Sequence, residues 1–294
     1  MNNKHHISSS VVLLLLIFMA GGWAFARLQQ EEASTEIGRT TEKELNVVLS
    51  TSMGSISIAR GQEQKVLSLE STSQKKKEGD VDLSYTIRNR VGYLDLALGE
   101  NRDHGSDHFK IKGFKEGAWK LHFSEALPVS FELELGFGSA DIDLSGLKVR
   151  DFSLTTGASD VMLSFDTPNE VSLDHMNIET GLSKFDGRNL GNGNFKYFRF
   201  EGGVGTYTLD FSGALRREVD VDIQLGLGVL TLIVPSDVGA RVITNDNWFS
   251  HVECDKEFQS TGKQQFETEN FARAEGKMNI RIETGLGRVR LKHR

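Results

Sequence analysis

The chain of 294 residues is 38% hydrophobic and 26% charged and carries a formal net charge of −7. This composition is typical of a folded protein with a sizeable core, and 30 glycines against three prolines indicate many tight turns rather than a low-complexity chain. The acidic balance argues against a nucleic-acid partner, which selects a basic surface, and against charge-driven binding to anionic lipids.

The N-terminal segment is typical of an export signal. Basic and polar residues at 4–6 precede an apolar run at 11–20, and Ala-Phe-Ala at 24–26 matches the pattern that signal peptidase cleaves. We therefore predict a signal peptide over residues 1–26 and an exported protein of the periplasm or cell surface. The alternative is an uncleaved anchor, although the 16 residues from 11 to 26 are at or below the usual minimum of about 17 for a spanning helix.

The next stretches introduce a β pattern gradually. Residues 27–46 are polar and unpatterned, so we predict a linker there. From Val47 onward, alternating runs surround Met53-Gly54-Ser55 and then Gly92. These runs predict degenerate N-terminal β repeats over residues 47–128.

A clear repeat begins after Pro128. Residues 131–147, FELELGFGSADIDLSGL, contain an alternating run, the triplet Gly136-Phe137-Gly138 and a second alternating run. Glycines at the equivalent place recur, and the first five are 21, 24, 22 and 23 residues apart, which indicates a repeat of about 22 residues. The six predicted turn glycines are Gly136, Gly157, Gly181, Gly203, Gly226 and Gly285.

Apolar residues recur at five positions of this unit when each turn glycine is counted as zero. Position −5 holds Phe131, Phe152, Met176, Phe198, Val221 and Ile280, and position −3 holds Leu133, Leu154, Ile178, Phe200, Ile223 and Ile282. Position +1 holds Phe137, Ala158, Leu182, Val204, Leu227 and Leu286. Position +4 holds Ala140, Val161, Phe185, Tyr207, Leu230 and Val289, and position +6 holds Ile142, Leu163, Gly187, Leu209, Leu232 and Leu291. We expect these positions to face one continuous core.

The repeat predicts an all-β fold, a β-solenoid or prism-like stack of two-strand repeats with Gly-x-Gly turns. One such unit cannot bury its own apolar face and needs neighbours on either side. Glycine suits the turns because it adopts positive φ freely, and because turns stacked directly above one another leave no room for a side chain. We predict the stack over residues 129–294, with the irregular stretch 236–277 as a candidate cap.

The repeat resembles a known family. The stretches WKLHF at 119–123, PVSFELELGFG at 128–138 and DIDLSGL at 141–147 are similar to toast-rack domains of the putative-adhesin and LiaF-like (cell-wall-active antibiotic response) group of bacterial envelope proteins. Residues 270–291 are similar to the C-terminal end of LiaF-like domains, so the resemblance covers residues 115–294. It implies an exported or envelope-anchored β-solenoid without known catalytic residues. Some LiaF-like members restrain a histidine-kinase stress pathway, but they usually carry several N-terminal membrane spans.

Three groups of polar residues are candidates for chemistry. His104, Asp107 and His108, with Asp103, have ligand types that suit zinc, although a hydrated loop is the ordinary interpretation and we predict no cofactor. The Gly-x-Gly and aspartate pattern at 136–143 differs from a calcium-binding β-roll, whose period is nine. The carboxylates Asp141, Asp143 and Asp160 lie on the predicted polar face, so we expect them to be solvated rather than paired for sugar cleavage.

Three aromatic residues and the single cysteine are further candidates for packing or for binding. Trp119, Trp248 and Phe249 would either cap the core or stack on a sugar or partner, and packing is the expected role. The single cysteine, Cys254, is expected to be a packed residue. We therefore predict a non-enzymatic, exported binding or structural module of the cell envelope, adhesin-like, whose partner is an envelope protein or a cell-wall polysaccharide. The alternatives are an envelope-stress regulator of a membrane sensor and a carbohydrate-active enzyme.

Overall fold

The computed structural model describes residues 33–72, 80–99, 109–112, 118–245 and 250–294. Within these ranges the strands belong to one 17-stranded sheet, and the single helical element is a short 3-10 helix at Leu190–Gly193. The predicted all-β stack is confirmed. No helix in this described part is long and apolar enough to cross a membrane.

Seven long strands form the body of the protein. They are β2 (Glu44–Gly61), β8 (Pro128–Asp143), β9 (Lys148–Ser164), β10 (Leu173–Arg188), β11 (Phe195–Asp210), β12 (Glu218–Val234) and β17 (Gly276–His293). Each one pairs in parallel with the next in the order β2–β8–β9–β10–β11–β12–β17. Every strand is therefore one layer of a stack, and equivalent residues form columns that run through the layers.

Six of the seven long strands are bent back on themselves at a predicted glycine, and in β2 the equivalent position is Ser52. Only residues 144–147 connect the end of β8 to the start of its parallel neighbour β9, whereas a straight strand of 16 residues would separate its ends by about 50 Å. The burial pattern gives the place of the bend. In β8, Leu135 and Ala140 are both buried, and the four residues between them are not. The inward face thus changes from odd to even positions as the chain passes the corner.

The glycine positions differ from the prediction in one respect. They were predicted to be turns between two strands, but each strand continues through its glycine, and the parallel ladder resumes in the same register one residue later, so each repeat is one bent strand. The predicted steric reason holds. A Cβ on Gly157 would lie 2.6 Å from the carbonyl oxygen of Gly136, and one on Gly181 would lie 2.7 Å from that of Gly157. The glycines form a column in which each backbone is covered by the layer before it.

The core lies between the two arms of the bent strands. The residues at −5, −3 and +4 are all buried, as are those at +6, which confirms four of the five predicted core columns. Gly187, the exception at +6, leaves a space that the side chain of Leu190 occupies, since a Cβ on Gly187 would lie 2.9 Å from its Cδ1 atom. The fifth column was predicted wrongly, because position +1 lies on the outside of the bend.

Short strands cover both ends of the stack. They are β1 (Ala33–Gly38), β3 (Lys65–Thr72), β4 (Asp80–Arg88), β5 (Val91–Leu98), β6 (Phe109–Lys112), β7 (Ala118–Ser124), β13 (Val238–Thr244), β14 (Ser250–Cys254), β15 (Phe258–Gly262) and β16 (Gln265–Thr268). At one end β5 and β7 pair with the two arms of β2, and at the other β13 and β14 pair with the two arms of β17. Antiparallel strands then extend these layers outward.

The N-terminal region departs from two predictions. Residues 33–38, predicted as linker, form β1, which pairs with β3. Gly92 was predicted to lie between two strands, but it lies inside β5, and the turn is at Asn89-Arg90, where φ is 52° and 65°. Both positive values suit a tight hairpin between antiparallel strands.

Candidate binding surfaces

The outside of the bend carries a line of exposed apolar side chains, which we call the apolar ridge. Adjacent members are cross-strand partners in successive layers. Six of them are 45–62% exposed, and the seventh, Ala158, is half-buried. At about 4.8 Å per layer the ridge is about 29 Å long. Its members are Met53, Phe137, Ala158, Leu182, Val204, Leu227 and Leu286.

The glycine column opens a groove beside the apolar ridge. This acidic groove has a volume of about 640 Å³, and its floor includes Gly181, Gly203, Gly226 and Gly285, which have no side chains to fill it. Glu179, Glu201 and Glu283 line it, three residues before the ridge member of their own layer. The carboxylates and the ridge thus lie on the two sides of the bend, and a row of carboxylates runs parallel to the apolar ridge.

Most carboxylates of this row are available to a ligand. Glu201 is paired with Arg199, whose Nε lies 2.6 Å from Oε1. That hydrogen bond and the negative charge of Glu201 raise the pKa of the Arg199 guanidinium above its usual range. By contrast, Glu134, Glu179 and Glu283 form no ion pair with any residue in the described ranges. The groove therefore has negative wall charge that the protein does not neutralise.

A second groove lies on the outer face of the first arm, away from the apolar ridge. This outer-face groove has a volume of about 660 Å³. Two cross-strand rows line it, four and six residues before the glycine column, and they extend onto β13. The rows are Asn177, Arg199, Asp222, Arg281 and Ile243, and Tyr197, Asp220, Asn279 and Arg241.

The outer-face groove combines an aromatic ring with polar groups. Tyr197 is 53% exposed and stacks on His175, with ring centroids 5.6 Å apart and an interplanar angle of 15°. Next to it, Asp222 has a buried Oδ1 atom without a hydrogen-bond partner. Arg281 is directly opposite Asp222 in the ladder, and its side chain forms no hydrogen bond or ion pair with another described residue. The groove thus presents unused donors and acceptors beside an apolar ring face.

The residues predicted from sequence as chemical candidates are not brought together. Asp141 and Asp160 are exposed, Asp160 lies 3.7 Å from Lys184, and Asp143 accepts a hydrogen bond of 2.9 Å from the Ser145 backbone. His104, Asp107 and His108 lie outside the described residues. Among the residues that are described, no group of three or more His, Cys, Asp or Glu side chains could hold a metal ion.

The aromatic and cysteine candidates have separate environments. Trp119 is fully buried, as expected for a packing residue, while Trp248 and Phe249 lie outside the described residues. Cys254 was expected to be packed, but it is exposed at the end of β14. Partial burial and the charge of Asp255 still raise the pKa of its thiol, which disfavours the reactive thiolate.

Comparison with known proteins identifies the family. The family profile described as the N-terminal domain of toast_rack, DUF2154, matches residues 26–186, more than half of the chain. The chain belongs to the toast-rack family. The match includes β1 to β9 and most of β10, so this toast-rack chain carries the family's pattern in its first four long layers. No curated protein matches it.

Several solved structures are similar to the toast-rack chain at low sequence identity. A putative cell adhesion protein from Clostridium sporogenes is 16% identical, with 90% of this chain and 99% of that chain covered and a TM-score of 0.47. A putative adhesin from Bacteroides fragilis is 12% identical, with 90% and 98% covered and a TM-score of 0.33. One from Parabacteroides distasonis is also 12% identical, with 89% and 98% covered and a TM-score of 0.32.

Proposed function

We propose that this toast-rack protein is an exported, non-enzymatic binding module of the cell envelope, adhesin-like in its role, and that its contact surface is the apolar ridge. The observation that carries the proposal is a line of six large exposed apolar side chains in cross-strand register, interrupted only by the half-buried Ala158. Scattered apolar residues are normal on a protein surface, whereas a contiguous line bordered by polar groups marks an interaction site. The export signal predicted over residues 1–26 supports the location.

The carboxylate row beside the apolar ridge favours a basic partner. Glu134, Glu179 and Glu283 are free to pair with Lys or Arg, and each lies three residues before the ridge member of its own strand. A helix has a diameter of about 10–12 Å, and 20 helical residues span about 30 Å, close to the length of the ridge. The surface therefore suits an amphipathic helix of an envelope protein whose apolar face lies on the ridge and whose basic residues face the acidic groove.

The first test is a direct binding measurement. A fluorescent 20-residue amphipathic helix with a Leu face and flanking Lys residues is titrated with the chain from residue 27 to 294. The double substitution Leu182→Ser and Leu227→Ser is expected to weaken binding about tenfold or more, because two apolar contacts are lost. Glu179→Gln with Glu283→Gln should weaken it at low salt and much less at high salt, since exposed charges are screened.

A control variant is available on the arm of β9 that follows the bend. Met162 in β9 is also an exposed apolar residue, but it faces outward away from the ridge, so Met162→Ser should leave binding unchanged. Equal affinity of the ridge variant and the Met162 variant would contradict the proposal.

Recovery experiments from an envelope extract separate the possible partners. Ridge-dependent capture of one membrane sensor would assign the module to stress regulation, and capture of another envelope protein would support the adhesin-like role. Release of reducing ends from envelope polysaccharide by the purified chain would refute the non-enzymatic assignment.

A further inference from the structure

The outer-face groove is built from residues that the apolar ridge does not use. Its two rows of side chains stand four and six residues before the glycine column, on the opposite side of the acidic groove from the ridge. The groove crosses β10, β11, β12, β17 and β13, which at about 4.8 Å per strand gives a length of about 19 Å. An elongated ligand that lies across the strands would fit this shape better than a compact one.

The aromatic pair provides an apolar platform at one end. His175 covers one face of Tyr197, and the cross-strand neighbour of Tyr197 on its other side is Asp220. Asp220 is short and already accepts a contact of 3.4 Å from the Nδ2 atom of Asn279. A face of an exposed tyrosine ring that borders polar side chains accommodates a ligand with an apolar face and a polar rim.

The polar groups of the groove alternate between donors and acceptors. Along one row, Asn177, Arg199, Asp222 and Arg281 follow one another in ladder register. The Asp222 side chain is half-buried and its carboxylate forms no hydrogen bond with a described residue, and the guanidinium of Arg281 has no acceptor within the described residues. A ligand hydroxyl that donates to the accessible oxygen of this carboxylate and accepts from the neighbouring arginine would therefore use both groups.

The charges of the groove nearly cancel. Arg199 is paired with Glu201, and Arg241 is paired with Glu267 at 2.9 Å and lies 4.2 Å from the ring centre of Phe271. This leaves Asp220 and Asp222 opposite Arg281. A strongly charged polymer of either sign would therefore meet like charge in the groove, whereas a neutral ligand rich in hydroxyl groups would not.

We propose that the outer-face groove binds a neutral polysaccharide, with one pyranose ring stacked on Tyr197 and sugar hydroxyls bridging Asp222 and Arg281. The apolar C–H face of the pyranose lies on the ring, and adjacent hydroxyls act as both donor and acceptor. This site is independent of the protein-binding ridge, and either assignment can fail without the other.

Affinity electrophoresis tests the proposal. The chain from residue 27 to 294 is run through native gels that contain a neutral glucan, a neutral mannan or the acidic polymer polygalacturonate. Retardation by at least one neutral polymer is expected. Tyr197→Ala should weaken this binding about tenfold, because the stacking contact is lost, and Asp222→Asn should weaken it by removing the charged acceptor.

Controls keep the test specific. Tyr93 on β5 is 44% exposed and lies outside the groove, so Tyr93→Ala should be retarded like the unaltered chain. The Leu182→Ser and Leu227→Ser ridge variant should also be unaffected. Retardation by polygalacturonate alone, no retardation by either neutral polymer, or equal retardation of the Tyr197→Ala and Tyr93→Ala variants would each overturn the assignment.

Discussion

Phe200 and Tyr207 are seven residues apart in the same strand, yet their ring centroids lie 5.2 Å apart at an interplanar angle of 67°. The contact exists because β11 folds back at Gly203 and closes its two arms on each other. The ring centroid of Phe185 in the layer before lies 5.2 Å from that of Phe200 as well, so the second arm of one layer also contacts the first arm of the next. Each layer thus supplies both walls of its own share of the core.

At the bend, the inward-facing positions change from odd to even residue numbers, and two phenylalanines of one strand can test this change. Phe131 is 3% exposed and Phe137 is 60% exposed, although both were predicted to face the core. Phe131→Ala should lower the free energy of unfolding by about 3–5 kcal/mol, whereas Phe137→Ala should change it by no more than about 0.5 kcal/mol. Urea denaturation measures both, and similar losses in the two variants would contradict an outward position +1.

A glycine of the column and a glycine outside it predict different substitution effects. A Cβ at Gly181 would lie 2.7 Å from the Gly157 carbonyl oxygen, and both groups are backbone, so Gly181→Ala should destabilise by about 1–3 kcal/mol. Gly38 has no atom within 4 Å of an added Cβ, so Gly38→Ala should be neutral or stabilise by about 0.4–1 kcal/mol through the unfolded chain. Thermal unfolding of the two variants gives the comparison, and a neutral Gly181→Ala would refute close stacking.

A buried asparagine links the connections between layers. The Asn169 Nδ2 group donates to the carbonyl oxygens of Val149 at 2.7 Å and Gly193 at 3.1 Å, and its Oδ1 accepts from the Val149 amide at 3.0 Å. Asn169→Ala leaves these backbone groups without partners and should cost about 2–4 kcal/mol. Exposed Asn177→Ala is the control for stability and should have little effect in the same denaturation assay. A loss below about 1 kcal/mol at Asn169 would mean that water replaces the amide.

The raised pKa of Tyr85 predicts that the protein loses stability at alkaline pH. Burial and the negative charge of Glu42 raise the pKa of Tyr85 from 10.0 to about 12. Because the folded state favours the neutral phenol, this contribution to stability is fully present below pH 10 and is lost as the pH rises towards 12. The stability difference between the unaltered chain and Tyr85→Phe should therefore shrink over that range, as measured by urea denaturation at several pH values. A constant difference for Tyr85→Phe would show that its hydroxyl is not buried beside Glu42.

The repeat and most of its core could be predicted from sequence, because columns such as Phe131 and Phe152 have a fixed distance from each glycine. Position +1 could not, since an apolar residue in every layer gives the same pattern whether it points inward or outward. The distinction depends on how many residues pass around the corner. Strand β1 was missed because its polar residues are held by distant pairing, for example between Thr35 and Leu69.

The candidate surfaces could not be predicted from the sequence, because they depend on which residues of different strands are paired. The outer-face groove joins side chains from five strands, and Tyr197 and Arg281 are 84 residues apart in sequence. The hairpin turn at Asn89-Arg90 did leave a local signal, because asparagine adopts positive φ more readily than most residues. The prediction at Gly92 was wrong because the turn of this region does not follow the spacing of the later repeat.

The number of stacked layers sets the length of the apolar ridge. Because each layer contacts only its neighbours, gain or loss of a whole unit of about 22 residues would lengthen or shorten the apolar ridge by one rung of about 4.8 Å. The distance between the ridge and the carboxylate row would not change, since it is set within a single strand. The reach of the protein and the chemistry of its contact can therefore evolve separately, the first by counting layers and the second by exchanging side chains.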